Sequence, residues 1–497
     1  MEAGAKQHVQ IAAPARRFGT RHLQTLLLAG SSFTIYMLRV NLSVAIVGMT
    51  GMDQIDNGTA NTTTNATANA TEVEGGTTGA HVYDWDEETQ GLVLSSFFWG
   101  YMITQVPAGV LTQRLGGHRF LTWAVMSTSA LSALLPPCAY IGGWRFVCAN
   151  RMLQGVTQGF VYPSIFTMMG LWSPAPERST LAGLILGSQT LGPVVATPLA
   201  GLLVALCGWP SVFYSYGAFG MLYALAVLWL GADSPAAHRT ISAEERAYIE
   251  ATLGSDQARP GRTPWRHIST SAPAWAAVLT MALQGGVFLT FLTKMPTYLS
   301  TVLKFEIKEN GLLTALPYFV SWCLSFPFSS SCDWIVKRGY ISLTNARKFY
   351  NSISHVIGGL AMLGLGFCTN TTLSVILLTI SIGVMSASYP GVQSNFMDLT
   401  PNYCGTIFSI SNFLSACCGV VGPIMISWIV TERGSVTQWR TVYCLLAALM
   451  FLSNLQFVVW GSAEVQPWNN IEETQEKHKK KNDDSFPEIG KKLASGS

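Results

Sequence analysis

Two arginines stand alone in apolar sequence. Arg39 lies within YMLRVNLSVAIV, and no other charged side chain falls between Arg21 and Asp53. A charge near the centre of a bilayer costs about 2.5–3.5 kcal/mol even on insertion scales. A spanning segment keeps one only where it meets a partner or a watery cavity. No acid lies in the same segment to pair with Arg39, and the long apolar run before it makes snorkelling to an interface a poor alternative. Tyr36 and Ser43 share its helical face at spacings of three and four. Arg151, in ANRMLQGVTQGFVYPSIF, heads a second stripe, with Gly155, Gln158 and Tyr162 following at four, three and four. Guanidinium presents a planar fork matched to carboxylate or phosphate. Two such groups facing one cavity repel unless an anion sits between or near them. Arg39 and Arg151 are therefore expected to bind an anionic solute, with Tyr36, Gln158 and Tyr162 beside them. The competing reading for Arg39 is an internal salt bridge. For Arg151 it is a place near the outer end of its helix, holding backbone carbonyls.

Other polar groups fall inside apolar stretches. Gln284, beside Gly285 and Gly286, and Asn395 are expected to complete the substrate set. His355 and Asn412 are candidates for ion coupling; a hydrogen bond to a neighbouring helix is the plainer role for His355. Asp398 reads as structural, capping a helix or pairing with a basic loop. The aromatic cluster SSFFWGY at 95–101 reads as packing. Gln189, Asn351 and Gln393 are intramembrane polar groups with no assigned role.

These residues need elements that hold them in lipid. The 497-residue chain is 49% hydrophobic and 11% charged, against roughly 25% charged in soluble domains. Twelve apolar stretches are long enough to span a membrane: 22–50, 89–112, 119–140, 145–171, 180–207, 211–232, 275–300, 309–331, 347–368, 372–397, 405–430 and 440–462. The fold class expected is an all-α membrane protein of two six-helix bundles, at 22–232 and 275–462. Between them lies a polar linker at 233–274, in which Ser242 and Glu245 are spaced as a capping box that starts a short surface helix. Tails at 1–21 and 463–497 complete the chain. Basic turns recur at equivalent places, GVLTQRLGGHRF (109–120) and SCDWIVKRGYISLTNARKF (331–349), as a duplicated unit would have them. Duplication puts a cavity between the halves near the midplane.

Lysine and arginine crowd both tails, whereas the loop 51–88 has none and carries eight acids. This bias places both termini in the cytoplasm. The same loop holds four glycosylation acceptors, Asn57, Asn61, Asn65 and Asn69, which are modified only on the outer or lumenal side. The ten cysteines are scattered through apolar runs without a CxxC and none falls in that loop, so neither a disulfide framework nor a metal site is expected. A net charge of +3 is too small to suggest nucleic acid. Phosphate-loop, HExxH and GxSxG motifs are missing from the sequence, so neither an enzyme nor a cofactor is expected, and uphill movement would draw on an ion gradient.

Several stretches resemble the anion/phosphate cotransporter family, solute carrier family seventeen of the major facilitator superfamily. They are RVNLSVAIV (39–47), SFFWGYMITQVPAG (96–109), RMLQG (151–155), ERS (177–179), GWPSVFYSYGAFG (208–220) and ENGLLTALPY (309–318), with GSAEVQPW closing the match near 470. The resemblance implies alternating access between two bundles, with Arg39 and Arg151 on the substrate anion. Glutamate-carrying members have histidine, glutamate and arginine where Leu94, Gln158 and Gln284 stand here, which points away from vesicular glutamate loading. Sialin shares the helix-four glutamate, so proton coupling through Gln158 is excluded. The superfamily usually has an aspartate where Gln113 stands, so that gating contact must be weakened or remade. The expectation is a monomeric, cation-coupled transporter of a small anion, sodium with phosphate or an organic anion leading. A sialin-like, proton-coupled exporter of acidic sugars or amino acids is the alternative, and an anion channel or a transport-dead sensor the alternative from a different class. The membrane expected is the plasma membrane or a lysosomal or vesicular one.

Overall fold

The computed structural model describes residues 18–50, 82–253, 263–303, 307–368, 370–432 and 435–470. The four glycosylation acceptors and most of both tails lie outside the described residues.

Helices dominate, because apolar side chains in lipid leave backbone groups no partner but one another. The elements are α1 (Thr20–Thr50), α2 (Glu87–Leu115), α3 (Gly117–Gln158), α4 (Val161–Trp172), α5 (Arg178–Cys207), α6 (Pro210–Leu230), α7 (Ala243–Leu253), α8 (Trp265–Thr270), α9 (Ala272–Thr301), α10 (Ile307–Lys337), α11 (Leu343–Ser352), α12 (Gly358–Phe367), α13 (Thr371–Gly383), α14 (Ser394–Leu399), α15 (Cys404–Ile429) and α16 (Val436–Trp460). Among the described residues they make twelve membrane-length rods. Glycine at 143, with φ 56°, bends α3 sharply into two arms, and the second arm runs on into α4. A wide turn at Ile353–Ile357 joins α11 to α12. Tight and wide turns at Val384–Ser388 and Tyr389–Gln393 break α13 from α14.

Among the described residues, eight segments are long and apolar enough to cross a membrane by composition alone. The outer surface is apolar to an extent water would not tolerate: Trp229 is 82% exposed, Trp428 79% and Leu222 69%.

The N-terminal bundle packs α1 on α5 and α6, and α3 on α2 and α6; the C-terminal bundle packs α9 on α15 and α16, and α12 on α13 and α16. The bundles meet where α5 lies on α10 and where α2 and α4 lie on α15. The linker forms the surface helix α7, its Ser242 hydroxyl accepting from the Glu245 N–H at 3.2 Å, and a second short helix, α8. Glu245 then reaches back to the start of α1, accepting from the backbone N–H groups of Thr20 and Arg21 and from the Arg21 guanidinium.

At the end bearing both termini the bundles are closed. Asp398 accepts from Arg178 at 2.7 Å and from Arg347 at 2.6 Å, all three side chains being buried. Arg347 also donates to the Ser179 hydroxyl and the Pro390 carbonyl. Asp333, from α10, accepts the N–H groups of Ser179 and Thr180 at 3.1 and 2.7 Å. One bundle thus caps a helix N-terminus of the other. Gln113, where the superfamily this chain resembles usually has an aspartate, accepts from the Thr406 hydroxyl, which lies against the Gly109 carbonyl as well. The contact is remade with neutral groups. Glycine suits position 109, since a Cβ there would stand 2.4 Å from the Ser409 hydroxyl.

Candidate functional site

Between the bundles lies a cavity with about 840 Å³ of empty space. Its N-terminal wall carries Tyr36, Arg39, Tyr101, Tyr162 and Gln189; its C-terminal wall carries Gln284, Ser321, Ser388, Tyr389, Gln393 and Asn412. Most of the rest is apolar. The broken stretch between α13 and α14 supplies Met385, Ser388, Tyr389 and Gln393.

Arg39 sits in an aromatic cradle. Its Cζ lies 4.7 Å from the Tyr36 ring centre, 4.8 Å from Tyr101 and 5.0 Å from Phe97. Ring faces attract a cation without neutralising it. Its Nε donates to Gln158 Oε1 at 3.2 Å, and its Nη2 is buried without a partner. Among the described residues no carboxylate lies within ion-pair distance of it. The aromatic cluster read as packing is in part this cradle.

Arg151 does not line the cavity. It is buried behind Arg39, donating to Gln154 Oε1 at 2.8 Å and to the Arg39 carbonyl at 3.2 Å. The expectation of two guanidinium groups facing one space is corrected: one faces it and the other props the backbone of the first. Gln158 is likewise fully buried behind the wall. Gly155, between them on the stripe, lies flush on the backbone of α2, so this face meets the neighbouring helix and not the open cavity.

Tyr36, Tyr162, Gln284 and Asn412 do line the cavity. Gln284 donates to the Ser354 hydroxyl and the Met385 carbonyl, leaving its Oε1 without a partner. Asn412 joins the bundles by donating to Tyr101 at 2.7 Å and Gln105 at 2.9 Å. Asn395 is not at the cavity: it donates to the Ser462 carbonyl at 2.8 Å near the closed end. The kink at Gly391 shifts the register of α14, which turns Asn395 toward the segment after α16. His355 is also off the cavity, its Nδ1 2.9 Å from the Asn351 carbonyl and its Nε2 buried and unpartnered. Gln189, Ser321, Ser388 and Tyr389 were missed as site residues; the signal for Ser388 and Tyr389 is the helix-breaking SASYPG at 386–391.

A cavity between two six-helix bundles, polar at mid-depth and flanked by a broken helix, defines a membrane carrier of the major facilitator class. The model of the Major Facilitator Superfamily matches residues 28–423. The fold is similar to that of the proton:xylose symporter XylE, with a TM-score of 0.67 at 13% identity, covering 90% of this chain and 97% of that one. A likeness at that identity speaks for the fold alone.

Three relatives narrow the class. A Drosophila melanogaster protein named "Putative inorganic phosphate cotransporter" is 32% identical over 93% of this chain and 89% of its own. Human sialin is 33% identical over 88% of both chains. Human vesicular glutamate transporter 2 is 32% identical over 90% of this chain and 75% of its own. The chain belongs to the anion/phosphate cotransporter family, solute carrier family seventeen, and is an integral membrane transporter.

Proposed function

We propose that the protein is a sodium-coupled carrier of an organic anion whose single carboxylate docks on Arg39, working by alternating access. The observation carrying this reading is the Arg39 guanidinium on the cavity wall, its Nη2 without a partner and no carboxylate among the described residues within ion-pair distance. A lone buried cation is costly and selects a ligand of opposite charge. The cavity's aromatic, hydroxyl and amide groups suit an organic body behind the carboxylate.

Sodium is favoured over the proton by the lining. Among the described lining residues there is no carboxylate or histidine. There are neutral oxygens and a helix broken at 384–393, the kind of place where freed carbonyls hold a cation. His355, the candidate proton relay, is buried away from the cavity. Both termini are assigned to the cytoplasm and the loop 51–88, glycosylated, to the outside or lumen, in the plasma membrane or a lysosomal or vesicular one. Inorganic phosphate is the second reading, on the strength of the relative of that name.

The test is uptake of labelled N-acetylneuraminate, urate and phosphate by proteoliposomes, with sodium replaced by choline. Sodium should drive uptake of an organic anion, and Arg39→Gln should lower kcat/KM about 100-fold, the scale of removing one partner of a desolvated charge pair. Equal uptake in choline with a proton gradient would overturn sodium coupling. Uptake of phosphate alone would overturn the organic anion.

A further inference from the structure

The cavity is crossed by a chain of neutral hydrogen bonds. The Tyr162 hydroxyl donates to Gln189 Oε1 at 3.1 Å, and Gln189 Nε2 donates to the Tyr389 hydroxyl at 3.1 Å. Tyr162 and Gln189 belong to the N-terminal bundle and Tyr389 to the C-terminal one, in the wide turn of the broken helix. All three line the cavity. The second bond ties the bundles together. The two bonds anchor the amide between a hydroxyl of each bundle, its oxygen toward Tyr162 and its NH2 toward Tyr389.

This chain lies next to Arg39. The Tyr162 ring meets the Tyr36 ring edge-on with centres 6.3 Å apart, and Tyr36 lies 4.7 Å from the Arg39 Cζ. An anion held by Arg39 therefore sits beside the ring that carries the hydroxyl.

We propose that Tyr162 is shared between two acceptors and that Gln189 is a positioning residue reporting occupancy to the other bundle. In the empty site the Tyr162 proton holds the Gln189 amide toward Tyr389. A docked anion takes that proton, since a charged acceptor makes the stronger bond. Gln189 then keeps only one of its two anchors, the tie to Tyr389 weakens, and the bundles are joined by one contact fewer. Binding thereby favours parting of the bundles. The inference rests on anion docking at Arg39.

Cys404 serves as the reporter. It is buried at the closed end, its thiol donating to the Phe166 carbonyl across the bundles at 3.1 Å. The full-length protein is labelled with N-ethylmaleimide, and Cys404 is followed by peptide-resolved mass spectrometry, with and without N-acetylneuraminate. Without the anion, Gln189→Leu and Tyr389→Phe should label about three to ten times faster than wild type, the shift that losing an ordinary hydrogen bond produces. Tyr389→Phe keeps its ring, so it covers the case in which Gln189→Leu fails to fold. The anion should speed labelling of wild type but add nothing in Gln189→Leu. Tyr162→Phe should raise KM more than Tyr389→Phe does, a split that a packing role would not produce. Wild-type labelling rates in both Gln189→Leu and Tyr389→Phe, without the anion, would overturn the proposal. Arg39→Gln separates the two ideas: an anion response that survives this change overturns docking at Arg39, whereas unchanged labelling in the Gln189 and Tyr389 variants overturns only the tie.

Discussion

Arginine keeps different company in two regions of this protein. At the closed end, Arg178 and Arg347 both reach one carboxylate, Asp398, and Arg347 has a hydroxyl and a carbonyl besides. At the cavity, Arg39 has one amide oxygen and three ring faces. The first set finds its carboxylate within the chain and joins the bundles. The second finds none among the described residues, and under the proposed function a ligand supplies it. On that reading, what marks a binding residue in this fold is a charge whose counter-ion the chain does not supply.

Breaking the first set should have the largest effect. Asp398→Ala leaves two buried guanidinium groups facing each other and should lower stability by about 3–5 kcal/mol, read as a fall in the thermal midpoint in detergent. Arg39→Gln, which costs transport so heavily, should move that midpoint by less than about 1 kcal/mol, since no buried carboxylate is orphaned. A large loss of stability there would erase the contrast between the regions. Arg151→Gln should fall between: losing its bond to the Arg39 carbonyl should raise KM about tenfold, the worth of one charged hydrogen bond, with Arg39 still present to bind.

Glu245 offers a paired site outside the membrane. Burial opposes its ionisation, but the N–H groups of Arg21 and Thr20 and the Arg21 guanidinium hold its carboxyl below the ordinary 4.5. A depressed carboxyl contributes stability that is fully present above its ordinary value and lost as pH falls through the folded one. Glu245→Gln should therefore cost about 1 kcal/mol near neutrality, and the gap in midpoint from wild type should close as the medium is taken below pH 4.5. The exposed pair Arg246–Glu250, 2.7 Å apart on α7, should show the least. Glu250→Gln should change stability by under about 0.5 kcal/mol, within the error of the same melts.

Much of this was legible in the sequence. Apolar stretches the length of a bilayer located the rods, because lipid allows few alternatives to helix. Arg39 stood out because its segment holds no acid. Asp398 read as structural, beside basic turns, and is bonded to one of them through Arg347. Arg151 and Gln158 were placed by helical spacing, which tells which residues share a face but not what that face meets. Asn395 was placed by its polarity inside an apolar stretch, and the kink at Gly391 just before it breaks the helix there.

The sequence by itself determined the solvent, the helical class and the isolation of Arg39, whose segment holds no acid. These depend on composition and local order, and on the cost of charge in lipid. Only the tertiary structure decided which polar groups meet: that Arg151 props Arg39 instead of joining it, that Gln189 reaches Tyr389, and that Gln113 meets Thr406 where the superfamily usually has an aspartate. Each of these joins residues far apart in the chain, and a hydrogen bond depends on distance and angle to within fractions of an ångström, which no spacing along one helix can specify.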